Sequence, residues 1–266
     1  MGGNGFFKWI KLILYAIIIT MINSINSFKM PVSEAVTQYW KTRQTQAKRQ
    51  EISGKADQGA RSAVTGGAQM DGFIQLINQL VIEGGINPKN IFFKRALELP
   101  GFFRPTKEWD FLVVKNDQLI IALEAKSQVG PSFGNNFNNR TEEAIGSAVD
   151  LWTAYREGAF NKTVKPWLGY IFLLEDCEAS QKPVRVKEPH FKVFPEFVNA
   201  SYAKRYEHFC RKLVRERHYN IVSFLLSDRK SGLKGKYQEP ADDLNFELFA
   251  KSLVAQASIY GDLSNK

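Results

Sequence analysis

Two acids and a lysine lie close together in one short stretch, Pro105 to Lys126, PTKEWDFLVVKNDQLIIALEAK. Asp110 opens an apolar run, Phe111 to Val114. A polar turn, Lys115-Asn116-Asp117-Gln118, interrupts it, and a second run, Leu119 to Leu123, ends in Glu124-Ala125-Lys126. Carboxylates are hard donors suited to Mg²⁺, which takes a few of them and completes its shell with waters and phosphate oxygens. Such an ion stabilises charge on a phosphoryl group and lowers the pKa of a water. A neighbouring ammonium orients that water and counters the developing charge. The chemistry within reach is metal-assisted phosphodiester cleavage. Spacing alone makes this a weak pattern, because ordinary solvated hairpin ends carry the same residue types.

The elements that must position these groups are legible around them. Two aliphatic runs joined by a polar turn predict an antiparallel hairpin. On a strand, positions i and i+2 share a face, so Glu124 and Lys126 point the same way, and the hairpin register can bring Asp110 beside them. Upstream, Ser33 is placed as the N-cap of a helix over 33–50, and a second helix runs from Met70 to Glu83, stopped by Gly84-Gly85. A strand follows over Ile91 to Lys94. Downstream, Gln128 to Arg140 reads as a polar loop, Thr141 to Arg156 as a helix and Leu168 to Leu174 as a buried strand. Residues 176–199 are irregular, with three prolines. Tyr202, Tyr206, Phe209 and Leu213 then mark one face of a helix whose other face carries Arg205, Arg211, Lys212 and Arg215. Tyr219 to Leu226 reads as a strand, Asp228 to Tyr237 as a basic loop and Leu244 to Ile259 as a final amphipathic helix. This order predicts one α/β domain over residues 30–266, with a mixed central sheet flanked by helices.

Longer strings extend the pattern. Asp110, Glu124, Ala125 and Lys126 resemble the PD-(D/E)xK nuclease motif, with Trp109 where a proline usually precedes the first acid. SGKADQGARSAVTGGAQMDGF (53–73), EPHFKVFPEF (188–197) and ASYAKRYEHFCRKL (200–213) resemble the XhoI-type type II restriction endonucleases, and the similarity covers about residues 31 to 262. The resemblance implies a restriction-endonuclease-like core with Asp110, Glu124 and Lys126 as the catalytic set. It implies Mg²⁺ held by Asp110, Glu124 and the backbone carbonyl of Ala125. The first helix of that fold sometimes donates an extra acid, for which Glu83 is the candidate and Asp71 the weaker alternative. It also implies a cytoplasmic homodimer acting on double-stranded DNA, with the palindrome CTCGAG cut to leave four-base 5′ overhangs. A two-fold site matches a two-fold dimer with one active site per strand.

Candidate DNA contacts come from residue types. Lys55 and Arg61 sit in the glycine-rich segment, where backbone and charge can approach a phosphate. Asn136, Asn139 and Arg140 follow the hairpin, and such side chains pair with adenine and guanine edges. A solvated connector and plain turns explain the same residues. A structure-specific repair or junction nuclease, a DNA-binding module with a dead site and a membrane-associated protein stand as rival functions.

Composition bounds these choices. The 266 residues carry 36 Lys and Arg against 27 Asp and Glu, a net charge of +9; without the three lysines of residues 1–29 the balance is +6. A basic excess favours a polyanionic partner. Two cysteines, Cys177 and Cys210, with no CxxC, fit a reducing compartment and no zinc site. The glycine-rich segment lacks GxxxxGK[ST], which excludes a nucleotide phosphate loop. The apolar leader over 1–29 is too short for an easy bilayer span and has no small-residue cleavage site, so the expectation is that translation starts at Met30 and that the leader has no role.

Overall fold

The computed structural model describes residues 31–48, 68–161 and 165–262. The leader and the glycine-rich segment with Lys55 and Arg61 lie outside the described residues. The first element is helix α1 over 31–48. Val32, Ala35, Val36, Tyr39 and Trp40 form its buried stripe at helical spacing. Pro31 is already helical, so Ser33 lies inside the first turn instead of capping it. Next come α2 (Asp71–Glu83), β1 (Ile91–Phe92), β2 (Glu98–Pro100), β3 (Thr106–Glu108), β4 (Phe111–Lys115) and β5 (Gln118–Gln128). The chain continues through α3 (Phe133–Arg156), β6 (Trp167–Glu175), α4 (Glu178–Gln181), α5 (Tyr202–Arg215), β7 (Ile221–Ser227), α6 (Arg229–Gly232) and α7 (Phe246–Tyr260).

The main sheet has five strands in the order β1-β4-β5-β6-β7. β1, β4 and β5 pair antiparallel, whereas β5, β6 and β7 pair parallel. β5 is therefore the junction of the two halves. Both faces are covered, and residues of β6 alternate between two cores. Trp167, Ile171 and Leu173 face the core lined by α1, α2 and α7, while Leu168, Tyr170, Phe172 and Leu174 face that of α3 and α5. Burial on both faces explains why β6 reads as one unbroken apolar run.

The β4–β5 turn is tighter than its sequence suggests. Lys115 and Gln118 still pair across the strands, leaving Asn116 and Asp117 as the two turn residues with φ of 52° and 57°. A two-residue type I′ turn requires positive φ at both positions, which Asn and Asp tolerate. Farther along, Val113 pairs with Ile121 but Val114 pairs with Leu119, so Ile120 is an extra residue in a bulge.

Two further features depart from the sequence reading. The polar loop expected to Arg140 is helical from Phe133 onward. Phe133 and Phe137 are one helical turn apart and dock on α5, with ring centroids 5.8 Å from Tyr202 and 5.0 Å from Tyr206, respectively. Tertiary packing outweighs the low helix propensity of the asparagines. The second departure is the β2–β3 hairpin, which no periodic signal announced. Leu97 and Leu99 seat it on the α3 side of the sheet with Trp109. Its tip is pinned by buried Asp150, which accepts from the backbone N–H groups of Phe102 (2.7 Å) and Phe103 (2.8 Å) and from Arg104 Nε (2.7 Å). A Cβ on Gly101 would meet Asp150 Oδ2 at 2.5 Å, so the chain passes the carboxylate where only glycine fits.

Candidate active site

The expected acids and lysine converge at the start of β4 and the middle of β5. Asp110 Oδ2 accepts from the Ala125 N–H at 2.9 Å and from Lys126 Nζ at 3.0 Å. The same ammonium lies 3.6 Å from Glu124 Oε1. One cation thus already bridges the two carboxylates. Within a strand, a residue's N–H and C=O point to the same edge. The Ala125 carbonyl therefore faces the edge where Asp110 stands, as its N–H does.

Two further residues complete the cluster, and sequence reasoning missed both. Lys107 of β3 donates to Glu124 Oε1 at 2.6 Å, with its side chain 11% exposed. Its Nζ also donates to the Glu108 carbonyl at 3.0 Å and lies 4.5 Å from the centre of a Trp109 ring. Thr106 and Glu108 are exposed while Lys107 is not, which is the alternation of a strand turned over the site. Tyr219, just before β7, places its hydroxyl 2.9 Å from Glu124 Oε2 and 3.1 Å from the Ala144 carbonyl, sharing one proton between them. Arg217 adopts a left-handed φ of 59°, and His218 and Tyr219 both donate to the Leu213 carbonyl. That reversal ends α5 and turns the phenol under the sheet. The signal available for Lys107 was its place three residues before Asp110. Tyr219 carried no comparable local signal.

Glu124 is 2% exposed. Burial pushes its carboxyl up, but the Lys126 and Lys107 charges and the bonds from Lys107 and Tyr219 outweigh that and hold it below the usual range. Burial pushes the Lys126 ammonium down, and the charges of Glu124 and Asp110 more than restore it, so it stays above its ordinary value. Tyr219 is held well above the ordinary phenol by burial and by the Glu124 charge, which keeps it a donor. The site is built to keep Glu124 ionised.

The remaining candidates are dispersed. Glu83, the last residue of α2, is exposed and stands near Gly85, whose carbonyl accepts from the Asp262 N–H. Asp262 also pairs with Lys115, at the turn end of the hairpin, so Glu83 lies at the end opposite Asp110. Asp71 opens α2, and burial raises its carboxyl against the opposing charge of Lys94. Asn136, Asn139 and Arg140 lie on the first turns of α3 instead of in a loop; Asn139 is exposed, and Arg140 pairs with Glu143 at 2.7 Å. In the basic stripe of α5, Arg205 donates to the Ala200 and Val184 carbonyls, Arg211 pairs with Asp243 and Glu207, and Lys212 pairs with Glu216. Those three side chains are engaged within the protein.

The family model described as restriction endonuclease XhoI matches residues 49–239. The chain belongs to that family. It is 56% identical over 213 residues to the type II restriction enzyme BstVI of Geobacillus stearothermophilus, covering 78% of this chain and 95% of that one. It is 49% identical to the type II restriction enzyme XhoI of Xanthomonas vasicola, over 67% of this chain and 72% of the other. For AbrI of Azospirillum brasilense, also a type II restriction enzyme, the identity is 47% over 65% and 78% of the two chains. No solved structure matches. Within this XhoI-family chain the match spans the hairpin, Lys107 and Tyr219. Among the described residues no helix is long and apolar enough to cross a membrane.

Proposed function

We propose that this enzyme makes sequence-specific double-strand cuts in DNA with Mg²⁺, using Asp110, Glu124 and Lys126. The observation that carries the reading is the Lys126 ammonium set between two carboxylates, 3.0 Å from one and 3.6 Å from the other, at one end of the β4–β5 hairpin. The donor set suits the ion. Among the described residues no group of three or more His, Cys, Asp or Glu side chains gathers. Two carboxylates and the Ala125 carbonyl offer hard oxygens only, leaving other positions to waters and phosphate oxygens, as Mg²⁺ prefers. Asp110, Glu124 and the Ala125 carbonyl would hold the ion. When bound, it would polarise the scissile phosphate and ease deprotonation of an attacking water.

The chain's own groups do the rest. Glu124 stays ionised because Lys126, Lys107 and Tyr219 surround it. Asp110 fixes the Lys126 ammonium, which is one-quarter exposed and can reach from the acids towards a phosphate. There it orients the attacking water and offsets charge on the phosphoryl group. The XhoI-type resemblance supports CTCGAG as the target and a homodimer as the cutting unit, with one site per strand.

The deciding experiment incubates a sequenced plasmid with the protein and Mg²⁺ and maps the ends, with Asp110→Ala and Glu124→Ala in parallel. Cuts at CTCGAG by the wild type alone support the proposal. Cuts scattered by DNA structure would favour a junction or repair nuclease. Cleavage at wild-type rate by either alanine variant would refute the metal assignment.

A further inference from the structure

We propose that Lys107 makes metal binding at this site depend on DNA, by neutralising the acids that hold the metal. The inference rests on the proposed metal role of Asp110 and Glu124. Those two acids with Lys126 alone would form a cluster of net charge −1. Lys107 adds a second ammonium, 2.6 Å from Glu124 Oε1, and brings the four groups to zero. It is the closer of the two lysines to that oxygen, since Lys126 stands at 3.6 Å.

The Lys107 charge is held in place. Its Nζ is fixed by the Glu108 carbonyl at 3.0 Å and by a Trp109 ring at 4.5 Å. The strand that carries it belongs to a hairpin whose tip is tied to α3 through Asp150. A divalent cation entering a neutral cluster with Glu124 buried in it leaves a net charge of +2, partly shielded from water, where charges act more strongly than in bulk solvent. A DNA phosphate brought to the same place removes one unit of that excess. Metal and DNA then each raise the other's affinity, and by linkage the two enhancements are equal. Lys107 acts through Glu124 and is a positioning residue, distinct from the Lys126 that faces the phosphate.

The test measures Ca²⁺ binding by calorimetry for the wild type and Lys107→Met, without DNA and with a short duplex carrying the sequence cut in the plasmid assay. Methionine keeps an unbranched stem over Trp109 and removes the ammonium with its hydrogen bonds to Glu124 and the Glu108 carbonyl. Without DNA the variant should bind Ca²⁺ about tenfold more tightly or better, the effect of removing one nearby like charge. With the duplex the gain should be of similar size, because the phosphate adds its own attraction for the ion without altering the repulsion from position 107; the variant without DNA should then approach the affinity that the wild type reaches only with it. Lys107→Arg, which keeps the charge, should keep the wild-type affinity without DNA; a purely structural role for the side chain predicts that the neutral variant binds no more tightly than the wild type. If Lys107→Met does not fold, Lys107→Gln carries the same expectation. A folded neutral variant whose Ca²⁺ affinity without DNA equals or falls below that of the wild type overturns the proposal. Failure of the underlying reading looks different: the wild type would then bind no Ca²⁺, or bind it equally well after Asp110→Ala.

Discussion

Replacing Tyr219 by phenylalanine removes one hydroxyl and leaves the ring packed 5.2 Å from Tyr170. The hydroxyl lies 2.9 Å from Glu124 Oε2, and both residues are almost completely buried, at 1% and 2% exposed. A hydrogen bond to a buried charge is worth about 1.5–3 kcal/mol, and the acceptor left behind has no water to replace it. The variant should therefore lose about 2 kcal/mol, or roughly 4–8 °C of melting temperature in a chain of this size. The sign with pH follows from Glu124. Its folded carboxyl is depressed below the ordinary value by Lys126, Lys107 and Tyr219 acting against burial. The stability this contributes is present above the unfolded carboxylate pKa and is lost as pH falls through the depressed folded value. Phenylalanine raises the folded value towards the ordinary one, so the wild type's advantage at neutral pH should shrink in acid. If Glu124 holds the metal as proposed, the acid limb of the single-turnover cleavage profile should move to higher pH, because that role needs the ionised acid. Thermal melts and single-turnover rates measured across the acid range test both halves. A variant with an unchanged melt and an unmoved acid limb would show that Tyr219 does not support Glu124.

Lys126→Ala should keep DNA binding by gel shift while losing roughly a hundredfold in single-turnover cleavage, the scale of one preorganised charge at a transition state. Lys115→Ala is its control, since Lys115 pairs with Asp262 at the far end of the hairpin; equal rates for the two variants would remove Lys126 from the mechanism. Asp150→Ala strands two backbone N–H groups and should cost about 3 kcal/mol by denaturant unfolding at neutral pH. Burial raises the Asp150 carboxyl, but the bonds from Phe103, Arg104 and Phe102 outweigh it and depress the folded value, so this penalty should fade as pH drops through that value. DNA affinity should drop by roughly a decade or more per threefold rise in salt, and a flat binding curve would exclude a phosphate-dominated interface.

The hairpin and its cluster were legible because their signals are local. Alternating strand geometry aligns Glu124 with Lys126, and a short turn returns the chain to Asp110. The central strands and most helices were legible through apolar runs that the covered sheet requires. What escaped depended on distant partners. Phe133 and Phe137 look like loop residues until α5 supplies rings to pack against. The β2–β3 hairpin is held by Asp150, far along the chain, and strands of three residues show almost no periodicity. Lys107 was hidden with it. Tyr219 meets Glu124 only because α5 ends in a reversal and β7 lies two strands away in the sheet.

The sequence separations within the cluster bear on how its charges come to be buried. Asp110 and Lys126 are 16 residues apart, Lys107 and Glu124 are 17 apart, and Tyr219 is 95 residues from Glu124. Loops of the first two lengths close in well under a millisecond, whereas parallel pairing of β5 with β6 must wait for the whole α3 crossover. Every ion pair of the site can therefore form within a segment of about 20 residues while water still surrounds it. When the parallel strands and α3 close over Glu124, they enclose a carboxylate already matched to ammonium groups, avoiding the several kcal/mol that dehydrating the bare ion would demand. The short path between acid and lysine along the chain lets the buried Glu124 carboxylate enter the core with its countercharges already at the rim.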